Sequence, residues 1–443
     1  MRIGKSSVKG ESQVEQWLSQ LFEIGGMRAL TNSLNVTAQE TALRLGDTSQ
    51  TIYYFGDYAQ QAALDGLFDL LDPRTWDPAN LARLTSDALR ESVQIFRLFL
   101  PGDTSRLALM ELRNKLEIFT QVRNLSNILQ LPSDRLLPLP DLVAKAYTLS
   151  PFLALWAVEG LGEYYTSLYT KLMGHFPQRL LWEENAQVPA KSLLMLHAGL
   201  GLSFADKLLS TVSPSSPKQE IHDAVQTFVT LCIENSRPGY LGPAIESLGL
   251  VTRTFYPMMP NLIHDELQAI TPEYLGFFWH GYGRALYFGP AYFVPVVRSA
   301  WGALDSEISG LRNELSAAAG LTWALTLVNM RQPEIEEGIL KNYLSGSRFQ
   351  EAFANGVASC IVMRQDTTPD EPFVQAFHQH RPNSGNQQLA ELWDRCVVKP
   401  ADNALNKYYP VLKCHQSLDQ VFRYQDLDSL VGSLQAVDRG GGP

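Results

Sequence analysis

Glu159, Glu246, His280 and Arg284 are the residues whose types and spacing fit them for chemistry in this chain. Each lies beside a recurring small-x-Gly word set in an apolar, helix-forming stretch. The copies read Glu159-Gly160-Leu161-Gly162, Ala198-Gly199-Leu200-Gly201, Ser247-Leu248-Gly249, Gly281-Tyr282-Gly283, Ala318-Ala319-Gly320 and Ala354-Asn355-Gly356. Counted from the last Gly, positions −3, +1 and +4 share one helical face. That face carries Glu159, Glu163 and Thr166, then Ala198, Leu202 and Ala205, then Glu246, Leu250 and Arg253, then His280, Arg284 and Tyr287. The last two copies give Ala317, Leu321, Ala324 and Phe353, Val357, Cys360.

Convergence of these faces would place Glu159, His280 and Arg284 as candidate catalytic residues. A Glu with a His can move protons, and an Arg can hold an anion or a carbonyl. Glu246, Arg253, Tyr287, Trp279, Tyr165 and His197 are the candidate substrate-binding residues. Tyr164, Tyr282 and Phe288 would add apolar wall, as small-molecule sites usually require. The plainer alternative stands beside this one: Glu159 or Glu246 pairs with Arg284 or Arg253 to satisfy charge inside a helical stack, and His197 is a satisfied core histidine.

Other site signals are missing. There is no GxxxxGK[ST], HExxH, GxSxG, di-iron ExxH pair or DDxxD-like run, and the Gly-x-Gly words follow no strand, which excludes dinucleotide loops. An α-barrel terpene-cyclase-like enzyme is disfavoured by the lack of an acidic motif. His378-x-His380 would point its rings apart on a helix, and His264-Asp265-Glu266 reads as a solvated face. No metal ligand set is expected, and no cofactor or oligomeric state is assigned.

The 443 residues carry a net charge of −10. Without a basic stripe to neutralise phosphates, nucleic acid is not an expected partner. No run reads as a membrane span, the first residues lack the apolar core of a signal peptide, and four cysteines without CxxC pairing suit reduced thiols, so a cytoplasmic location is expected.

The elements that must position the polar face are helices. The last Gly of successive copies is spaced by 39, 48, 34, 37 and 36 residues, a period typical of stacked helical pairs. Gly inside a helix costs roughly 1 kcal/mol relative to Ala, and its recurrence points to close crossings of helix backbones. The fold expected is all-α: TPR-like helical-pair repeats (an α-solenoid) with an additional N-terminal helical region. Residues 1–131 form that region, with helical patterns over 14–22, 37–45, 58–71, 78–100 and 103–129 and a strand-like stretch at 51–55. Residues 132–140 read as a linker, 141–381 hold six repeats, and 382–443 give a cap and a disordered tail. Return helices are expected over 221–232, 294–308, 333–344 and 372–380.

The ordered words resemble a family of unknown function encoded beside enediyne polyketide synthases, which reads E-G-x-G, G-x-G-W-A, G-x-G-R-A-L-W-F and G-x-G-L-A on successive helices. Glu159 to Gly162 fits the first. Gly199 to Gly201 fits the second with Leu202-Ser203 in place of Trp-Ala, Gly281 to Phe288 fits the third with Tyr287 for Trp, and Ala319-Gly320-Leu321 approaches the fourth. The resemblance spans roughly 140–365. It implies natural-product assembly around a hydrophobic polyketide-derived intermediate, with Glu159, Gly283 and Arg284 carried over. The expected partner is a hydrophobic small molecule or a biosynthetic partner protein. The alternative is a non-catalytic scaffold for protein–protein interaction.

Overall fold

The glycines at 162, 201, 249, 283, 320 and 356 all fall inside helices, each on a different one. A computed structural model of the chain describes residues 103–288, 300–369, 371–382 and 385–440, and every regular element there is helical. The expected N-terminal elements before residue 103 lie outside the described residues, as do the Gly-Gly-Pro end and the start of the expected return helix at 294.

The first described helix, α1 (Asp103–Arg123), is followed by a single turn, α2 (Leu125–Ile128), so the helix expected over 103–129 is interrupted at Asn124. A Pro-containing linker leads into α3 (Leu139–Ala146). Then come α4 (Pro151–Met173), α5 (Leu193–Leu209), α6 (Lys218–Asn235), α7 (Leu241–Phe255), α8 (Pro260–Ile270) and α9 (Leu275–Phe288). They are followed by α10 (Ala300–Glu307), α11 (Leu311–Asn329), α12 (Pro333–Ile339), α13 (Gln350–Thr367) and α14 (Pro372–Gln379). Prolines stand in the first turn of α4, α8, α12 and α14, where the missing N–H would have no helical partner anyway. Gly174, at φ 77°, ends α4 in the left-handed cap that Gly adopts without strain.

Helices α4, α5, α7, α9, α11 and α13 carry the Gly words and pack in that order, each against the next. Helices α6, α8, α10 and α12 lie between them in the chain. Between α4 and α5 the chain has only two 3-10 turns, so the first pair lacks a return helix.

The crossings explain the glycines. A Cβ on Gly199 would collide with the Glu159 carbonyl oxygen, one on Gly201 with that of Ala244, and one on Gly249 with that of Phe278. Gly283 stands in the same relation to Ala317, and Gly320 to His280. Backbone meets backbone at each crossing, and only a hydrogen fits. Neighbours run in the same general sense. Beyond the Gly162–Gly199 crossing, Ser167 and Ser203 share a 2.8 Å hydrogen bond, and beyond the Gly283–Ala317 crossing, Asn329 donates to the Tyr287 hydroxyl at 2.7 Å. Yet α9 meets α4 in the opposite sense, Arg284 beside Glu159 and Phe288 beside Trp156. The three crossings between them, α4 with α5, α5 with α7 and α7 with α9, together bring α9 back along α4.

Helix α1, which precedes the linker, packs on α4, α11 and α12. At the other end come α15 (Gln387–Trp393), α16 (Lys399–Asn403), α17 (Tyr409–Cys414), a 3-10 turn at Leu418–Phe422 and α18 (Leu427–Gly440). Two π-helical segments, Asp394–Val398 and Ala404–Tyr408, were not expected. Pro400 and Pro410 lie two residues beyond them; a proline ring has no N–H to donate and crowds the carbonyl four residues back, which favours a widened turn there. The return helix at 333–344 likewise ends in a π segment, Leu340–Leu344.

The stretch Ala190–Leu209 is long and apolar enough to cross a membrane by length and composition, which the sequence reading did not anticipate, and 78% of it is buried inside the fold. All four cysteines are free thiols, with Cys232, Cys360 and Cys396 buried and Cys414 exposed.

Gly283→Ala is expected to cost about 3 kcal/mol or more, since neither carbonyl nor helix can yield cheaply. Gly432→Ala, in α18 with open space around it, is expected to gain about 0.5–1 kcal/mol. Urea denaturation of both variants checks the contrast.

Candidate functional site

Because α9 turns back along α4, side chains 125 residues apart meet in the core. Arg284 donates through Nη2 to Glu159 Oε1 at 2.5 Å and through Nη1 to Glu246 Oε2 at 3.3 Å. His280 Nδ1 lies 2.8 Å from Glu246 Oε1. Glu246 and His280 are completely buried, and Glu159 and Arg284 nearly so. Burial pushes the Glu159 carboxyl above the usual range; the Arg284 charge pulls it down and the Glu246 charge adds to the rise. Burial also works against the Arg284 charge, but the two carboxylates outweigh it and hold the guanidinium more firmly protonated.

The walls come from residues the sequence did not single out. The Arg284 guanidinium lies 5.0 Å from the Trp323 ring centre, and Trp323 and Phe422 both set edges against His280. Trp323 sits three residues past Gly320, off the aligned stripe, and Phe422 arrives from the C-terminal 3-10 turn, which no local pattern connects to α9. His280 Nε2 and Arg284 Nε are buried without a hydrogen-bond partner in the protein.

The other expected residues go elsewhere. Arg253 makes a two-pronged pair with Glu307, Nε to Oε2 at 2.8 Å and Nη2 to Oε1 at 3.1 Å, and the Tyr282 hydroxyl donates to the same carboxylate. Trp279 donates Nε1 to His264 Nδ1 at 3.1 Å, toward α8 rather than toward Arg284. His197 has both ring nitrogens engaged, Nδ1 with the Leu193 carbonyl at 2.6 Å and Nε2 accepting from the Arg237 amide at 3.1 Å. Burial lowers His197 to about 4, which keeps it neutral. Tyr165 is buried on α4, six residues beyond Glu159 and off its stripe. The Tyr164 hydroxyl donates to the Pro132 carbonyl, and Phe288 sets its edge against Phe119 and Trp156. His378 and His380 point apart, to Asp402 and Glu337. Glu266 corrects the solvated-face reading: it is buried and held by His222 at 2.8 Å and Lys218 at 3.6 Å.

Tyr287 belongs to a second polar cluster. Its ring lies under Lys115 Nζ at 3.9 Å, and its hydroxyl accepts from Asn329. Asn329 in turn accepts from Asn114, and Lys115 pairs with Glu111 at 3.4 Å. Near this cluster Glu336 is fully buried with both carboxyl oxygens unpartnered, and burial raises it to about 8, with only the nearby Thr326 hydroxyl acting the other way.

The stripe that starts at Glu159 opens one turn later. Glu163 and Ser167 are exposed on α4, Asp206 is exposed on α5, and Leu202, Leu250 and Thr254 are part-exposed on the two following inner helices. Glu163 touches solvent, yet the surrounding protein desolvates it; together with the charges of Glu159 and Asp206 this raises its carboxyl to about 7. The carboxyl is thus exposed at its surface while the protein packed around it opposes its charge. The aligned face contained Glu163, but sequence reasoning passed it over because exposure varies along a stripe in ways that spacing does not reveal.

No known family, curated protein or solved structure matches the chain.

Chemically, Glu163 can give or take a proton near neutral pH, whereas the Glu159–Arg284–Glu246–His280 quartet is closed by its own bonds. No group of metal-ligating side chains occurs among the described residues.

Arg284→Met is expected to cost about 3–5 kcal/mol in stability, because two buried carboxylates lose their counter-charge; calorimetry or urea titration checks it. A second expectation concerns pH. The Glu336 carboxyl binds its proton more tightly folded than unfolded, so its contribution is fully present below about 4.5 and fades as pH rises to about 8. Glu336→Gln should therefore gain on the wild type across that window, level off above it, and be read from paired denaturation curves.

Proposed function

We propose that the chain is a cytoplasmic natural-product biosynthesis protein that binds a hydrophobic polyketide- or enediyne-type intermediate on the inner face of a TPR-like helical-repeat stack. The observation that carries this reading is Glu163, reachable by solvent yet raised to about 7, one turn beyond the buried Glu159–Arg284 pair. Part-exposed Leu202 and Leu250 supply apolar surface beside it, and the Ser167–Ser203 pair and Asp206 supply polar anchors. Apolar wall with a few convergent polar groups and a shifted titratable residue is what a small-molecule site offers. The resemblance of the Gly words to the enediyne-associated family supports the substrate class.

In this reading Glu163 is the group that meets the ligand. Glu159, Glu246, His280 and Arg284 hold the three helices in place beneath it and are positioning residues. Any transformation of the ligand runs through proton transfer at Glu163, the reachable acid of the stripe.

The closed quartet favours one other reading, a scaffold that holds a partner protein. Exposed Phe255 (64%), the last residue of α7, and Met258 (43%), just beyond it, would serve such contacts. Native mass spectrometry of protein purified from its own host separates the two. The small-molecule reading expects a hydrophobic adduct, reduced by about tenfold or more in Leu202→Trp, which covers the surface beside Glu163, and retained with altered pH dependence in Glu163→Gln. Protein that carries no adduct but co-purifies with a stoichiometric partner, lost in Phe255→Asp, would replace it with the scaffold.

A further inference from the structure

Arg364, in the last turn of α13, is completely buried and has no carboxylate within ion-pair distance among the described residues. Its Nη1 donates to the Pro151 carbonyl at 3.4 Å and to the Thr368 hydroxyl at 3.3 Å. Nε and Nη2 have no partner. These two nitrogens form the side-on edge of a guanidinium, whose parallel N–H groups match the two oxygens of a carboxylate. Burial lowers Arg364 to about 10, so the charge persists at neutral pH.

The surroundings favour an anion. The guanidinium lies 5.5 Å from the Phe152 ring centre and 5.2 Å from that of Phe373, and the two rings meet edge-on. Arg331, paired with Glu117, stacks over Phe152 at 3.6 Å and adds positive field. Against it acts Glu371, from beyond ion-pair range. The Pro151 carbonyl contacted by Arg364 opens the 23-residue helix α4, whose cap residue Ser150 makes no side-chain capping bond. The first turn of that helix therefore lies beside Arg364, with the Leu153 and Ala154 amides donating to the Ser150 carbonyl. Ser150 and Pro151 are exposed, which gives a route from solvent.

We infer that the free edge of Arg364, beside the first turn of α4, forms a binding site for a small carboxylate, separate from Glu163. A single cation between two aromatic rings suits a singly charged, planar, weakly hydrated group better than a phosphate. An anion that binds only the folded chain stabilises it by mass action, which makes the site measurable without knowledge of its natural occupant.

The probes are sodium acetate, chloride and phosphate at fixed ionic strength and pH, with melting temperature as the readout. Acetate is expected to raise the wild-type melting temperature by a few degrees in a saturable way, more than chloride or phosphate. Arg364→Met should lose the acetate response. Arg364→Lys, which keeps the charge without the fork, should keep an anion response but lose the preference for acetate over chloride. An equal acetate response in Arg364→Met overturns the inference. So does a wild type indifferent to acetate, or one that responds to all three anions alike, and the wild-type and Arg364→Lys arms stand even where Arg364→Met does not fold.

Discussion

The structure depends on carbonyl oxygens occupying the space where a Cβ would be. At successive crossings from α4 to α11, a backbone oxygen of one helix lies against a glycine of its neighbour. Close approach fixes the crossing geometry more tightly than interdigitated side chains would, because there is no rotamer to adjust. The rotation per crossing then accumulates instead of averaging out. α9 therefore returns to α4, and Arg284 reaches Glu159 although α5 and α7 stand between them in the packing order. Steric fit comes first, and the buried charges follow from it.

Those charges are unequal. Two carboxylates face one guanidinium in a space closed to water, and burial drives Glu159 toward its protonated form. Removal of any member would leave the rest unpaired in a low-dielectric interior, where an uncompensated charge is far more costly than at the surface. The same arithmetic separates the quartet from Glu163. One turn along the same helix, solvent contact lets a carboxyl stay poised between its two forms instead of being committed to a partner. Tight pairing in one place and an available proton in the next come from the same stripe of α4.

The helices and their order were legible because glycine at regular helical spacing has few explanations other than close contact. The meeting of Glu159, Glu246, His280 and Arg284 followed from that lane, while proline placement marked the linker, which ends where α3 begins at Leu139, and the starts of α6, α12 and α14. What was not legible depended on rotation. Arg253 and Tyr287 share the aligned face with their neighbours, yet each is taken up by a partner from another helix, Glu307 and Asn329. Trp279 sits beside His280 in sequence, but the rotation of about 100° per helical residue turns it to His264 on α8. Trp323 and Phe422 were missed since contacts from another helix leave no mark on local periodicity, and the π segments before Pro400 and Pro410 are invisible to a 3.6-residue pattern.

The return of α9 onto α4 also sets a timetable for the nascent chain. Glu159 and Arg284 are separated by 125 residues, so at a synthesis rate of about 5–20 residues per second the carboxylate waits roughly 6–25 s for its counter-charge. During that interval α4 can cross α5, and α5 can cross α7, through their glycines, but the polar centre of the assembly is open to water. The chain is thus built to dock its backbones before it seals its charges, and an early segment of the protein is exposed to chaperones and proteases until a much later one leaves the ribosome.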